Sequence, residues 1–274
     1  MAGQPPAGRV LIIAWSDSGG GAGIQGDIKT VSALGGYAMT AITALTAQNT
    51  QGVFGIHPIP EAFIAQQIAL CLEDIGADAI KTGMLHSAGV IEAVVDSLDE
   101  VYAPFGAGAP PLVVDPVMVA KGGAALLEGE ALKALKTLLI PRAALITPNL
   151  PEAALLLGRP IRSDDADGTD MTRAAEELLA LGAQAVLLKG GHGSGTVLTD
   201  ILVTRDSPAP LILTAPRRAT RHTHGTGCAF ASAIATGLAQ QLPLEEAVTR
   251  AHAYVQGAIA RAPGFGAGNG PLGH

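Results

Sequence analysis

The chain has 274 residues, 48% of them hydrophobic, with 17 Lys and Arg against 24 Asp and Glu and a formal net charge of −7. That length suits one large α/β domain better than two small ones, and an acidic balance without any basic block argues against nucleic acid or an anionic membrane as partner. Aromatics at 3% offer few stacking platforms, the two cysteines are too far apart in sequence for a CxxC pair, and no apolar run nears the ~20 residues that span a bilayer.

Residues 1–8 read as a flexible Pro/Gly leader without signal regions, which leaves 9–274 as the expected domain and the cytoplasm as the expected location. Residues 9–14 have the branching and length of a buried strand, 15–23 form a Gly/Ser loop, and 23–34 read as a helix closed by Gly35 and Gly36. A second apolar run, 39–46, leads into a polar turn at 47–50. Helical spacing over 61–75 follows Pro60 and precedes Gly76. A strand over 79–82, a loop to His86 and a helix over 87–98 come next, with Cys71 expected in the core.

Residues 102–111, rich in Gly, Ala and Pro, form a surface connection, and 112–115 is a strand ending in Asp115, followed by a loop that carries Lys121. A further helix-and-strand unit ends at 146–149, and the next helix starts near Pro151. The spacing predicts a helix over 169–181, a strand over 185–189, a hairpin from 197–203 and 211–215, a last helix over 244–261 and a glycine-rich tail over 263–274. Repeated β-α order predicts a doubly wound, mostly parallel sheet with right-handed crossovers and an antiparallel edge. Asp17, Gln48, Met84, Asp115, Asn149 and Lys189 all fall at strand C-terminal ends, where open α/β sheets bind ligands.

The stretch Thr223-His224-Gly225-Thr226-Gly227-Cys228 runs straight into a small-residue apolar helix over 229–238. Glycines at 225 and 227 let a ligand approach the backbone, and the helix N-terminus offers an anion site for a phosphoryl group. Cys228 stands in that first turn, where the helix dipole is expected to lower its pKa. The plain alternative is a Gly-rich turn with an inert core cysteine.

Residues 21–26 match GxGxxG, but no Asp or Glu occurs between Asp27 and Glu61 to hold a ribose. No Walker A pattern and no HRD or DFG triplet occurs. His222, His224 and Cys228 could hold zinc, yet no second Cys/His pair completes a structural site. His224 is expected as a loop or cap residue and His222 as a solvated one.

Six segments in order, DSGGGAGIQGDIKT (17–30), ALTAQNT (44–50), KTGML (81–85), TPNLPEA (147–153), LKGGH (188–192) and THGTGC (223–228), resemble the hydroxymethylpyrimidine/phosphomethylpyrimidine kinases of thiamine synthesis, and GFGAGNGPLGH (264–274) is similar to their ending. The resemblance implies a ribokinase-like three-layer α/β/α fold, a homodimer, and transfer of the ATP γ-phosphoryl to 4-amino-5-hydroxymethyl-2-methylpyrimidine and then to its monophosphate. By it Cys228 takes the base position, and the backbone of Gly225, Thr226 and Gly227 holds the transferring phosphate. Gln48 and Asp27 would read the aminopyrimidine edge, with Met84 as an adaptable apolar wall and Gly21 in the substrate loop. Lys189, Lys121 and Asn149 would place ATP phosphates. Glu152 and Asp115 would hold Mg²⁺, in part through water.

Three departures stand out: Trp15 where many members have glycine, Gly19 for a usual serine, and His252 where some carry lysine. A pyridoxal or pyridoxine kinase shares the fold and the loop and is the nearest rival. A dinucleotide-dependent oxidoreductase and a non-catalytic ligand sensor are the readings from other classes.

Overall fold

The computed structural model describes residues 7–102, 108–118, 129–162, 169–191, 195–207 and 209–274. In chain order the elements are β1 (Arg9–Asp17), α1 (Gly23–Ala33), β2 (Tyr37–Asn49), β3 (Gly52–Pro58), α2 (Glu61–Asp74), β4 (Ala79–Thr82), α3 (Ala88–Tyr102), β5 (Leu112–Val114) and α4 (Gly129–Ala134). There follow β6 (Leu145–Ile146), α5 (Leu150–Leu157), α6 (Thr169–Leu179), β7 (Ala185–Lys189), β8 (Val197–Thr204), β9 (Leu211–Pro216), α7 (Thr226–Ala239) and α8 (Leu244–Ala260).

Alternation along β1 sets the layers. Leu11 and Ile13 point into a core made with α2 to α6, while Val10, Ile12 and Ala14 point into a second core made with α1, α7 and α8. A strand buried on both faces belongs in the middle of a parallel sheet. The strand order is β3-β2-β1-β4-β5-β6-β7-β8-β9, with β2, β1, β4, β5, β6 and β7 mutually parallel and β8 and β9 antiparallel, as the sequence predicts.

The other edge was not anticipated: β3 pairs antiparallel with β2, so both edges are antiparallel. Gly52, Gly55 and His57 break any apolar alternation in β3, and all of it beyond Gly52 is exposed. Register shifts lie between Ala14 and Ser16 in β1 and between Ala47 and Gln48 in β2. Such bulges re-aim side chains at strand ends, and these two turn Trp15 and Gln48 out of plain alternation next to the ligand edge.

Both ends of the described chain are tied in. Ala7 and Gly8 do not behave as a flexible leader: Ala7 N–H donates to Gly35 O at 2.9 Å, and Gly8 O accepts from Tyr37 N–H at 2.9 Å; residues 1–6 lie outside the described residues. The 264–274 segment is stitched by Asn269 N–H to Thr50 O (2.7 Å), His224 N–H to Gly270 O (3.1 Å) and Gly273 N–H to Ala258 O (3.0 Å). Cys71 is only partly buried at the rim of the α2 to α6 core. Among the described residues no helix is long and apolar enough to cross a membrane.

Candidate active site

The first turn of α7 is held by glycine. Gly225, its N-cap, has φ 85°, and a Cβ there would run into the carbonyl oxygen of Gly21. Gly225→Ala therefore has both a left-handed backbone and a backbone collision against it, and is expected to lower the melting temperature by several degrees in a thermal scan. A Cβ on Gly227 would lie 3.4 Å from Lys189 Nζ and 3.6 Å from Asp115 Oδ2, so this turn sits directly on the ends of β5 and β7. Thr226 Oγ1 donates back to Thr223 O at 3.2 Å.

Cys228 is where the sequence placed it, but not in the state expected. It is 5% exposed. Burial pushes its thiol up to about 12; Lys81 opposes this, while Asp27 and Asp115 add to it and Gly23 N–H donates to the sulfur. Desolvation thus overrides the helix dipole, and the lowered pKa expected from the N-terminal position is not found. In the ligand-free protein Cys228 is expected to resist alkylation by iodoacetamide at pH 8 while Cys71 reacts first; mass spectrometry of timed samples checks the order.

Beneath the sulfur lies an ion pair that sequence reading missed. Lys81 Nζ donates to Asp27 Oδ2 at 2.8 Å, Ser232 Oγ donates to Asp27 Oδ1 at 2.7 Å, and all three side chains are fully buried. Ser232 stands one turn after Cys228 on the same face of α7. Both Asp27 oxygens are thereby engaged inside the protein, which corrects the expectation that this carboxylate accepts from a substrate amino group. Met84 and Trp15 are buried in the same apolar cluster as Cys228, and the Trp15 ring and Lys81 Nζ both lie beside Gly83.

A second charged group gathers Lys189, Asp115 and Glu152. Lys189 Nζ donates to Asp115 Oδ1 at 3.0 Å, and Thr147 Oγ1 donates to the same oxygen at 3.2 Å. Asn149 and Glu152 form a capping box on α5: Glu152 N–H donates to Asn149 Oδ1, and Asn149 N–H to Glu152 Oε2, both at 2.9 Å. The Asn149 amide oxygen is thus spent on the helix end, and its amide N–H groups are what it has left to donate to a phosphate. Lys121 lies outside the described residues.

Burial pushes the Glu152 carboxyl up to about 7; Lys189 draws it down and Asp115 adds to the rise. One ammonium set against two buried carboxylates leaves an excess of negative charge, and the donor set is all oxygen. Among the described residues no group of three or more His, Cys, Asp and Glu forms a complete cage. A Mg²⁺ held by one or two carboxylates, waters and substrate phosphates needs none, so Asp115 and Glu152 fit that ion. Because the native state binds this proton more tightly than the unfolded chain, stability is expected to fall as pH rises from about 4.5 to about 7. Glu152→Gln keeps an acceptor for the cap and removes the titration. Its melting temperature, without metal or nucleotide, should match wild type at pH 5 and exceed it at pH 8.

The third group joins Asp17, His224 and Gln48. Asp17 accepts from the N–H groups of Gly19 (2.7 Å), Gly21 (3.1 Å) and Ala22 (2.9 Å) and lies 2.9 Å from His224 Nε2. Burial alone would raise its carboxyl, but His224 and the backbone donors together hold it below its ordinary value. The Gly21 amide is consumed here, so Gly21 serves close packing instead: a Cβ on it would lie 2.6 Å from His224 Cδ2. Of the N–H groups that open the GxGxxG turn, those of Gly21 and Ala22 are taken by Asp17 and that of Gly23 by the Cys228 sulfur, so they are not left for a pyrophosphate. Gln48 Nε2 lies 3.2 Å from His224 Nε2, so His224, a loop residue just before the α7 N-cap as expected, also has its side chain in this group. His222 is partly buried, not solvated, and its Nδ1 has no hydrogen-bond partner among the described residues. His252 Nε2 stands 3.9 Å from Asp200 Oδ2, while Asp200 Oδ1 accepts from Gly190 N–H, just beyond Lys189.

The profile of the family described as Phosphomethylpyrimidine kinase matches residues 17–273. The chain belongs to that family. It is 50% identical over 269 residues to the thiamine biosynthesis bifunctional protein ThiED of Geobacter sulfurreducens, covering 98% of this chain and 52% of that longer protein. It is 47% identical to the hydroxymethylpyrimidine/phosphomethylpyrimidine kinase of Bacillus subtilis, covering 97% of this chain and 94% of the relative. Among solved structures, the phosphomethylpyrimidine kinase of Clostridium difficile 630 superposes with a TM-score of 0.77 at 42% identity, over 92% of this chain and 99% of that one. The ADP complex of Bacillus subtilis pyridoxal kinase gives 0.87 at 35% identity, over 98% and 97%. The fold is therefore the ribokinase-like one shared by both vitamin kinases, and this member of the phosphomethylpyrimidine kinase family is a phosphotransferase, not an oxidoreductase.

Proposed function

We propose that this kinase moves the γ-phosphoryl of ATP to the hydroxymethyl oxygen of 4-amino-5-hydroxymethyl-2-methylpyrimidine, and then phosphorylates the resulting monophosphate. The observation that carries this reading is the meeting of three things at one sheet edge: the α7 first turn, Lys189 beside Gly227, and the Gln48 amide on its bulge. Phosphoryl transfer needs alignment and charge neutralisation more than covalent chemistry. The Gly225 to Cys228 backbone supports the migrating group, Lys189 offsets its charge, and Cys228 stands where a base would take the alcohol proton. Asp115 and Glu152 would hold the Mg²⁺ that accompanies ATP, and the ion would there supply neutralisation of the phosphate charge. A coupled assay of ADP release with ATP and Mg²⁺ tests the assignment: the pyrimidine alcohol should be turned over at least about tenfold more efficiently than pyridoxine. Preference for pyridoxine would replace it with the pyridoxal-kinase reading, which the 35% identical neighbour keeps as the second candidate.

Gln48 reads the aminopyrimidine edge in this proposal, its backbone fixed by a two-way contact with Ser18 Oγ at 2.8 and 2.9 Å. Gln48→Ala is expected to raise KM for the pyrimidine about 5- to 100-fold, the loss of one or two hydrogen bonds, with KM for ATP little changed; equal losses for both would remove Gln48 from ring recognition. A homodimer and a cytoplasmic location complete the reading. Light scattering in line with gel filtration decides the first and subcellular fractionation the second.

A further inference from the structure

Two hydrogen-bond tallies converge on the side-chain amide of Gln48. Asp17, already accepting three backbone N–H groups, lies 2.9 Å from His224 Nε2. A carboxylate has no proton to give, so the proton between them sits on Nε2. That nitrogen then carries a single N–H and no lone pair, and Asp17 takes the shorter bond from it. The Gln48 amide atom 3.2 Å away can face it, sharing the same hydrogen, only as oxygen, because an amide N–H there would set donor against donor. On the other side Thr46 Oγ1 is 3.2 Å from the opposite amide atom. Its single hydroxyl proton already goes to Ser16 O at 2.9 Å, so the Thr46 oxygen is left as an acceptor that calls for an amide N–H.

Both neighbours therefore turn the Gln48 oxygen toward His224 and its nitrogen toward Thr46. This is a half-turn from the placement in which Nε2 faces His224, and hydrogen bonding decides between the two. Each amide atom keeps one free valence, an acceptor on the His224 side and a donor on the Thr46 side. Gln48 is half-buried and cannot reverse without setting donor against donor at His224 and acceptor against acceptor at Thr46.

We propose that His224, kept in its Nε2–H form by Asp17, is a specificity-determining positioning residue that fixes the polarity of the Gln48 amide. It thereby selects heteroaromatic rings that present an amino donor toward His224 and a ring-nitrogen acceptor toward Thr46. A ring with the reverse order, a 4-oxo group beside a ring N–H, meets like against like and is refused. The inference rests on the reading that Gln48 contacts the ring.

The test compares kcat/KM for the 4-amino alcohol with that for its 4-oxo analogue, using the full chain with ATP and Mg²⁺. Wild type should favour the amino ring by about 100-fold or more. His224→Leu should cut that ratio about tenfold or more, through KM for the ring and not through KM for ATP. His224→Gln, whose amide N–H reaches a similar distance, should restore most of it. A ratio unchanged in His224→Leu but collapsed in Gln48→Ala overturns the proposal and leaves Gln48 as the reader. A ratio unchanged in Gln48→Ala removes the underlying reading instead. A measurement on the unsubstituted protein stands beside the kinetics: the ¹⁵N imidazole signal of His224, assigned by its absence in His224→Gln, must show the proton on Nε2, and a bare Nε2 overturns the assignment.

Discussion

Cys228→Ala is expected to lower kcat by about 10²- to 10⁴-fold, the usual contribution of a positioned general base, while KM for ATP stays within about threefold. Burial holds the thiol near 12 in the free protein, so at neutral pH the sulfur carries its proton and the thiolate fraction rises tenfold per pH unit. Wild-type kcat/KM, which reports groups of the free enzyme, should accordingly climb through pH 7 to 9. Cys228→Ala should lose both the rate and the climb. A variant that turns over like wild type would remove the thiol from the chemistry and leave only the backbone of the α7 turn. The same profile separates a base from a filler of space, because Cys228→Ser restores the volume but offers a group that ionises far less readily.

Most of the fold was legible because its signals are local. Short apolar runs rich in branched residues gave β1, β4, β5 and β7; Pro151 marked a helix start, and Gly225 with Gly227 ahead of a small-residue apolar run marked another. What escaped was set by tertiary contact. Lys81 lies in a four-residue strand whose other members are Ala79, Ile80 and Thr82, and nothing in that pattern tells that its ammonium is fully buried against α1. Asp27 is expected at the substrate ring because nothing in the local pattern of α1 tells that α7 covers it. The Cys228 pKa was misjudged for the same reason: the dipole is a property of one helix, whereas desolvation depends on everything packed around its end. Asp17 and His224, 207 residues apart, could be joined only once the 264–274 segment held the His224 backbone in place.

The largest stability effect is expected at that buried pair. Asp27→Ala strands a fully buried ammonium: burial works against Lys81, and only Asp27 and its neighbours keep it above its ordinary range. Removing one partner of such a pair costs about 3–5 kcal/mol, or about 6–20 °C in melting temperature for a chain of this size. Replacing both partners, Asp27→Ala with Lys81→Met, leaves no stranded charge and should recover most of the loss, giving a coupling of about 2 kcal/mol or more in a double-mutant cycle. A single Asp27→Ala that melts within a degree or two of wild type would show the pair to be solvated. The double variant carries a second reading: it should fold, yet it lacks both the Lys81 cation that opposes the rise in the Cys228 pKa and the Asp27 anion that adds to it, the cation having the larger influence. If the sulfur serves as the base, the climb of kcat/KM with pH should move to higher pH in this variant. An unshifted profile would mean that the opposed charges of Lys81 and Asp27 cancel at the sulfur and that the pair, as a unit, serves to hold the sheet to α7.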